Sequence, residues 1–269
     1  MMRNIPAIIG IVLVKNEDLF IDRVLTNILD FCDEIIVADN LSKDGTQDTV
    51  RALQQHHSKI HYHSIASPAQ SHDLICGYAG TNTWIFAVDG DEIYDPLGLK
   101  RLRQRINAGE YDRQWMILGN ALNCVALNVE KGYVQGYLAP PCRSMTKLYN
   151  FNAIKAWEGP CSERLHGGEM LFKEGYDKSQ RLERYKDTSW DEAEFRALHL
   201  CFLRRSTLEK ASDSQKVIRK NISDMLSENI WARITSRFFK FIGKEQKSPW
   251  KLEKYMRGQL VTKPLTPFL

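Results

Sequence analysis

The sequence predicts an α/β protein: a Rossmann-like parallel sheet with flanking helices, followed by a helical C-terminal extension. Short apolar runs alternate with amphipathic stretches through the first half of the chain. The runs are continuous in the way of strands buried on both faces. The stretches between them have helix length, which implies βαβ units with right-handed crossovers.

Taken in order, Ala7 to Val14 reads as a strand and Asp18 to Phe31 as a helix, with Leu19, Phe20, Val24, Ile28 and Phe31 on one face. "EIIVAD" is a second strand, "NLSKDGT" a turn-rich loop and Gln47 to His56 a helix. "KIHYHSI" alternates as a third strand, His72 to Thr81 reads as helical, and "TWIFAV" is the fourth strand. From Thr207 to Leu269 the chain reads as helical and basic. There Ile230, Ile234, Phe238, Phe241 and Ile242 recur at helical spacing beside Arg233, Arg237, Lys240 and Lys244. Such a stripe either packs on the parent domain or lies on an anionic membrane.

With 269 residues the chain can bury a sizeable core. A formal charge of +4 makes no case for nucleic acid as a partner, although Lys and Arg crowd the part beyond Arg196 while an acidic cluster lies in the first half. The six cysteines form no Cys-x-x-Cys pair and read as buried thiols of a reducing compartment. "IPAIIGIVLV" runs straight into "KNED", as a buried strand does and a signal peptide does not. No apolar run approaches the ~20 residues of a membrane span. A cytoplasmic protein is expected, touching a membrane at most from its surface.

Ligands of such sheets gather outside the carboxyl ends of the strands. Here those ends carry "VKNED", "ADNLSKDGT" and "VDGDE". One polar loop is ordinary turn chemistry; three converging on one edge point to a site. The fourth strand ends in Asp89, Asp91 and Glu92, which repel one another unless a positive group sits among them. Neither G-x-G-x-x-G after the first strand nor G-x-x-x-x-G-K-[ST] occurs, which disfavours dinucleotide and P-loop enzymes. A nucleotide diphosphate held through a metal remains, and alternate carboxylates offer the hard oxygens that Mg2+ or Mn2+ takes.

The succession "VKNED", "DEIIVADNLSKDGT" and "WIFAVDGDE" resembles family-2 glycosyltransferases of the GT-A fold, nearest to the bacterial subgroup of lipopolysaccharide core glucosyltransferases. "RSMTKLYNFNAIKAWEGPCSERLHG" resembles that subgroup's acceptor side: an Arg, a short strand, Trp-x-Gly and a late Glu in order. The likeness covers roughly residues 6 to 170. It implies a GT-A domain over 1–205, with a donor half to about 112 and an acceptor half from 113, and an extension over 206–269. A nucleotide-sugar donor and a glycan or glycolipid acceptor are the implied partners. Asp39 then recognises the base, with Val14, Asn16, Glu17, Ser42, Asp89 and Gly90 around the nucleotide. Asp91 and Asp89 hold Mn2+ or Mg2+, and Glu163 is the general base of an inverting transfer. Ser162 stands where the subgroup often has His.

On the residues alone, Glu163 is equally well a surface partner of Arg164, and the resemblance is what selects catalysis. His199, in a stretch read as helical, is either a satisfied core histidine or a ligand of the metal or diphosphate. The histidines at 56, 57, 61 and 63 read as solvated or structural. Two other classes share parts of the pattern. A nucleotidyltransferase would carry a glycine-rich basic loop where "VKNEDLF" stands, and a noncatalytic nucleotide-sugar binding module would have no use for Glu163.

Overall fold

A computed structural model of the chain describes residues 4–142, 147–209 and 254–269. Its centre is the sheet that the apolar runs predict. Strands β1 (Ala7–Val14), β2 (Glu34–Asp39), β3 (Ile60–Ser64) and β4 (Thr83–Asp89) are parallel, in the spatial order β4-β1-β2-β3. Seven of the eight β1 residues are buried, because both faces of the strand are covered. Ile8, Val12 and Val14 pack on one side with helices α1 (Ile21–Ile28), α2 (Thr46–His56) and α4 (Pro96–Ala108); α3 (Gln70–Asp73) is a single turn. Ile9, Ile11 and Leu13 pack on the other side against Trp115, Tyr149 and Trp157. The alternation of faces is the period-two rule of a strand.

Beyond β4 the sheet changes direction. After β5 (Glu92–Tyr94), β6 (Met116–Leu118), β7 (Asn120–Asn128) and β8 (Tyr133–Ala139), strand β9 (Lys147–Asn150) inserts antiparallel between β4 and β6. Strands β10 (Ile154–Glu163) and β11 (His166–Phe172) form a separate two-stranded hairpin. β12 (Arg181–Glu183) closes the far edge of the large sheet and leads into α5 (Arg184–Asp187). β13 (Arg196–His199) and β14 (Leu260–Pro264) complete a second sheet in the order β14-β8-β7-β13-β5.

Several expectations are corrected. α1 begins at Ile21 and not Asp18, because Asp18 is engaged in side-chain hydrogen bonds to Gly45 and Thr207. The segment 72–81 is no continuous helix. It contains the end of α3 and a 3-10 turn at Cys76–Tyr78, and Gly80 at φ +82 stops it. His199 lies in a strand: Ala197 and Leu198 are fully buried between β7 and β5, where a strand and not a helix fits. The last part of the expected helical extension is strand β14, which pairs with β8 and brings Phe268 into the core. β-branched Val261 and Thr262, with Pro264 and Pro267, suit an edge strand and a turn better than a helix. The basic stripe from Ile230 to Lys244 lies outside the described residues, as does Arg143. Among the described residues no helix is long and apolar enough to cross a membrane, and all six cysteines are free thiols.

Candidate active site

The parallel strands deliver their carboxyl ends to one edge, as their register requires: Val14 pairs with Asp39, and Leu13 with Asp89. Three loops leave this edge and are tied together. Asn16, at φ +56, donates its backbone N–H to Ser42 Oγ at 2.8 Å, and its side-chain oxygen accepts from the Lys43 N–H at 2.7 Å. The Ser42 hydroxyl donates to Asp39 Oδ1 at 2.6 Å. The other Asp39 oxygen accepts from the Tyr62 hydroxyl at 2.8 Å. Burial, and next the carboxylate it donates to, push the Tyr62 phenol up to about 12. Glu17 is buried and held through its N–H by Thr46 Oγ1 at 2.8 Å. Gly90 closes the floor: a Cβ there would lie 2.8 Å from Glu17 Cγ and 2.9 Å from Val14 Cγ1, so a side chain is excluded by sterics. Val14, Asn16, Glu17, Asp39, Ser42 and Gly90 are thus brought together, and Tyr62 joins them.

The acidic cluster at the end of β4 is neutralised by cations from distant parts of the chain. Arg164, from the turn of the β10–β11 hairpin, is almost wholly buried. It donates to the Val88 carbonyl at 2.6 Å and makes a short ion pair with Asp89. Burial alone would raise the Asp89 carboxyl; the Arg164 guanidinium overrides it and holds it at about 2. Arg205 forms an ion pair with Asp91 and stands 3.5 Å from Glu17. Glu92 turns inward and accepts from the Asp89 N–H at 3.1 Å and the Tyr94 hydroxyl at 2.7 Å. Burial, with the Asp89 charge beside it, raises the Glu92 carboxyl. Its position is structural.

His199 Nε2 faces the Asp91 carboxylate at 3.8 Å, while Nδ1 is 2.8 Å from the side-chain oxygen of fully buried Asn123. An Nδ1–H donated to Asn123 leaves the Nε2 lone pair directed at Asp91. That is the tautomer of a metal-binding imidazole with a polar partner behind it. Burial lowers the His199 pKa and favours the neutral ring that a metal needs. Among the described residues no three His, Cys, Asp or Glu side chains converge closely enough to hold an ion. One carboxylate and one imidazole, completed by phosphate oxygens, make a fitting site for Mn2+, and the carboxylate with phosphates suits Mg2+. One Asp89 oxygen is taken by Arg164.

Glu163 closes β10 and is opposite His166 across the hairpin turn. It is no surface residue: its side chain is 15% exposed. His166 Nδ1 lies 3.2 Å from Glu163 Oε1, and Lys147 Nζ lies 3.2 Å from His166 Nε2. Burial would raise the Glu163 carboxyl, but the His166 hydrogen bond and the Arg164 charge lower it below the usual range. Arg164 stands 3.6 Å from Glu163 and is bonded to Asp89, so one guanidinium joins the two regions. The hairpin turn is held from behind: the Arg164 N–H donates to Ser71 Oγ at 2.8 Å, and buried His72 stacks edge-on to Trp157 with ring centroids 5.7 Å apart. Trp157 is buried in this packing and donates to the Gly167 carbonyl at 3.0 Å.

Arg164, Arg205, His166, Lys147 and Tyr62 are missed by motif reading. A signal existed for the first two, since three carboxylates in four positions demand cations; Arg164 directly follows Glu163, and Arg205 lies six positions after His199.

The model of Glycosyl transferase family 2 matches residues 11–174, more than half the chain, and the chain belongs to that family. No curated protein matches the chain. Solved structures similar to it include a mannosyltransferase from Pyrobaculum calidifontis in complex with GDP-Man and Mn2+. It is 22% identical with a TM-score of 0.32, covering 46% of this chain and 36% of the other. Another is glucosyl-3-phosphoglycerate synthase from Mycobacterium tuberculosis with Mn2+, UDP and glucosyl-3-phosphoglycerate. It is 16% identical with a TM-score of 0.38, covering 55% of this chain and 58% of the other. The chain therefore spans less than two thirds of either protein's matched chain.

Proposed function

We propose that the protein is an inverting, metal-dependent glycosyltransferase. It moves a sugar from a nucleoside-diphosphate sugar to a hydroxyl of a glycan or glycolipid, in bacterial surface polysaccharide or lipopolysaccharide biosynthesis. Family membership supports the reaction type. The observation that carries the finer reading is the shared guanidinium: Arg164 lies between Asp89, on the nucleotide edge, and Glu163, on the hairpin. Two carboxylates with separate tasks are thereby set side by side with one cation fixing both.

In this reading Asp39, oriented by Ser42 and Tyr62, accepts hydrogen bonds from the base. Gly90 lets the nucleotide approach the backbone. Asp91 and His199 would hold Mn2+ or Mg2+, with Asp89 beside them, and the ion would offset the charge on the departing diphosphate as a Lewis acid. Glu163 takes the proton of the acceptor hydroxyl. Its lowered pKa keeps it ionised and ready to accept that proton at neutral pH. His166 and Lys147 hold it in place from behind. The acceptor-side order of Trp157, Gly159 and Glu163 supports the lipopolysaccharide assignment.

A donor screen tests the proposal. UDP-, GDP-, dTDP- and ADP-sugars are titrated with and without Mn2+ and with chelator, following binding and hydrolysis. One donor should bind only with the metal. Equal binding in chelator overturns the metal role, and a product retaining the donor's anomeric configuration overturns inversion.

A further inference from the structure

Arg205 reaches the sheet edge from a segment that belongs to neither sheet. After β13 ends at His199, the Leu200 N–H donates to the Asp91 carbonyl at 2.9 Å. Residues 205–207 are then fastened to the loops that follow β1 and β2. The Arg205 carbonyl accepts from the Leu19 N–H at 3.1 Å, and the Arg205 N–H donates to Glu209 at 3.2 Å. The buried Ser206 hydroxyl donates to Asp44, and the Thr207 N–H donates to Asp18 at 2.8 Å. This strap fixes the Arg205 backbone. Its side chain runs inward and is 12% exposed, with the guanidinium on Asp91 and near Glu17.

Asp91 Oδ2 is the oxygen that Arg205 holds and also the one His199 Nε2 faces. A divalent ion on that oxygen and a guanidinium at contact distance from it are like charges, so the two occupancies exclude each other. Without a cation, buried Asp91 and Glu17 would be costly to keep ionised. The strap leaves the backbone little freedom, so a displaced guanidinium swings only as far as its own side chain allows. It would then remain within reach of Asp91 and Glu17, where its planar fork would be placed to bind diphosphate oxygens bidentately.

We propose that Arg205 is a resident cation that keeps Asp91 and Glu17 neutralised until a divalent ion takes Asp91, and that the displaced guanidinium then binds the donor diphosphate. The inference rests on the metal-dependent reading given above. Two probes test it: Mn2+ alone, followed by the electron paramagnetic resonance of the free ion, and inorganic pyrophosphate titrated calorimetrically into Mn2+-saturated protein.

Arg205→Ala should bind Mn2+ roughly tenfold more tightly than the wild type and pyrophosphate roughly tenfold more weakly, the scale of one charged hydrogen-bonding partner. Arg205→Lys should recover part of both. In chelator Arg205→Ala should melt below the wild type, and Mn2+ should close that gap. Unchanged or weaker Mn2+ binding, unchanged pyrophosphate binding, or a melting gap that Mn2+ leaves open overturns the exchange. If Arg205→Ala does not fold, Arg205→Lys decides, because its single-centred ammonium must bind pyrophosphate more weakly than arginine does. A wild type that takes up no Mn2+ defeats the parent reading instead, and so the two failures are told apart.

Discussion

The nucleotide edge and the β10–β11 hairpin meet through Arg164 and are built in opposite ways. The edge grows from parallel strands buried on both faces; Ile8, Ile11 and Val12 are fully buried, and the position of each carboxylate follows from the strand before it. The hairpin is irregular, with register shifts at three places along β10 and β11. Its glycines are fixed by backbone geometry: Gly168, at φ +65, would place a Cβ 2.7 Å from the Glu158 carbonyl oxygen. A rigid edge is suited to binding a donor whose chemistry is constant. A bulged hairpin re-aims side chains without disturbing the core, which suits the acceptor-facing role it has in the proposed reaction.

That division is broken most sharply at Glu163. If the hairpin supplies chemistry and the edge supplies binding, Glu163→Gln keeps shape and hydrogen-bonding reach but removes basicity. Turnover should fall by a factor on the order of 10² to 10⁴, while calorimetric donor binding stays at the wild-type level. Wild-type turnover would return Glu163 to a structural partner of Arg164 and His166. Asp91→Asn is the complementary test on the edge. It should weaken Mn2+-dependent donor binding by about 1–3 kcal/mol, the worth of one charged partner. A variant that binds donor as strongly as the wild type, with Mn2+ and in chelator alike, would remove the metal from the edge.

The same division explains what can be read in the sequence. β1 and β2 fall where the apolar runs put them, because a strand buried on both faces has no polar residues to blur its ends. Asp39, Asp89 and Asp91 are visible for the same reason. The cations are not: Arg164 lies 75 residues from Asp89 and Arg205 lies 114 from Asp91, and pairing over such separations is decided by the fold. His199 reads as helical because "RALHLCFL" is a short apolar run, which periodicity alone does not assign. His166 is hidden because hairpin register, not sequence adjacency, sets it beside Glu163. Ser162 occupies the place where the resemblance leads to a histidine, and the imidazole arrives from three residues beyond Glu163.

Arg164→Met tests whether the two regions are coupled. The substitution keeps much of the stem and removes the charge between Asp89 and Glu163. Because the Asp89 side chain is about half exposed (46%), the stability loss is discounted for solvent screening and is expected at about 1–3 kcal/mol. Asp89 has a folded pKa depressed to about 2. Its contribution is therefore present above the ordinary carboxylate range and is lost as pH falls toward 2. Urea unfolding of the wild type and the variant should differ at neutral pH and converge in acid. A gap that does not depend on pH would assign Arg164 to packing.

The smallest effect is expected at His166, and it probes the hairpin alone. The His166 hydrogen bond is the foremost of the interactions that lower the Glu163 carboxyl, ahead of the Arg164 charge, both opposing burial. A base with a depressed pKa is ionised down to acid pH, so activity is lost only as pH falls through that lowered value. His166→Ala removes the hydrogen bond, lets burial raise Glu163, and moves the acid limb of the kcat/KM profile upward in pH. Donor binding and turnover at alkaline pH should change little, since Glu163 is ionised there in either protein. His166→Gln offers an amide N–H in place of the imidazole and should bring the limb part of the way back. An acid limb that stays where it was in His166→Ala would leave Arg164 alone in control of the base, and the hairpin would then act on catalysis only through the residue that also binds the edge.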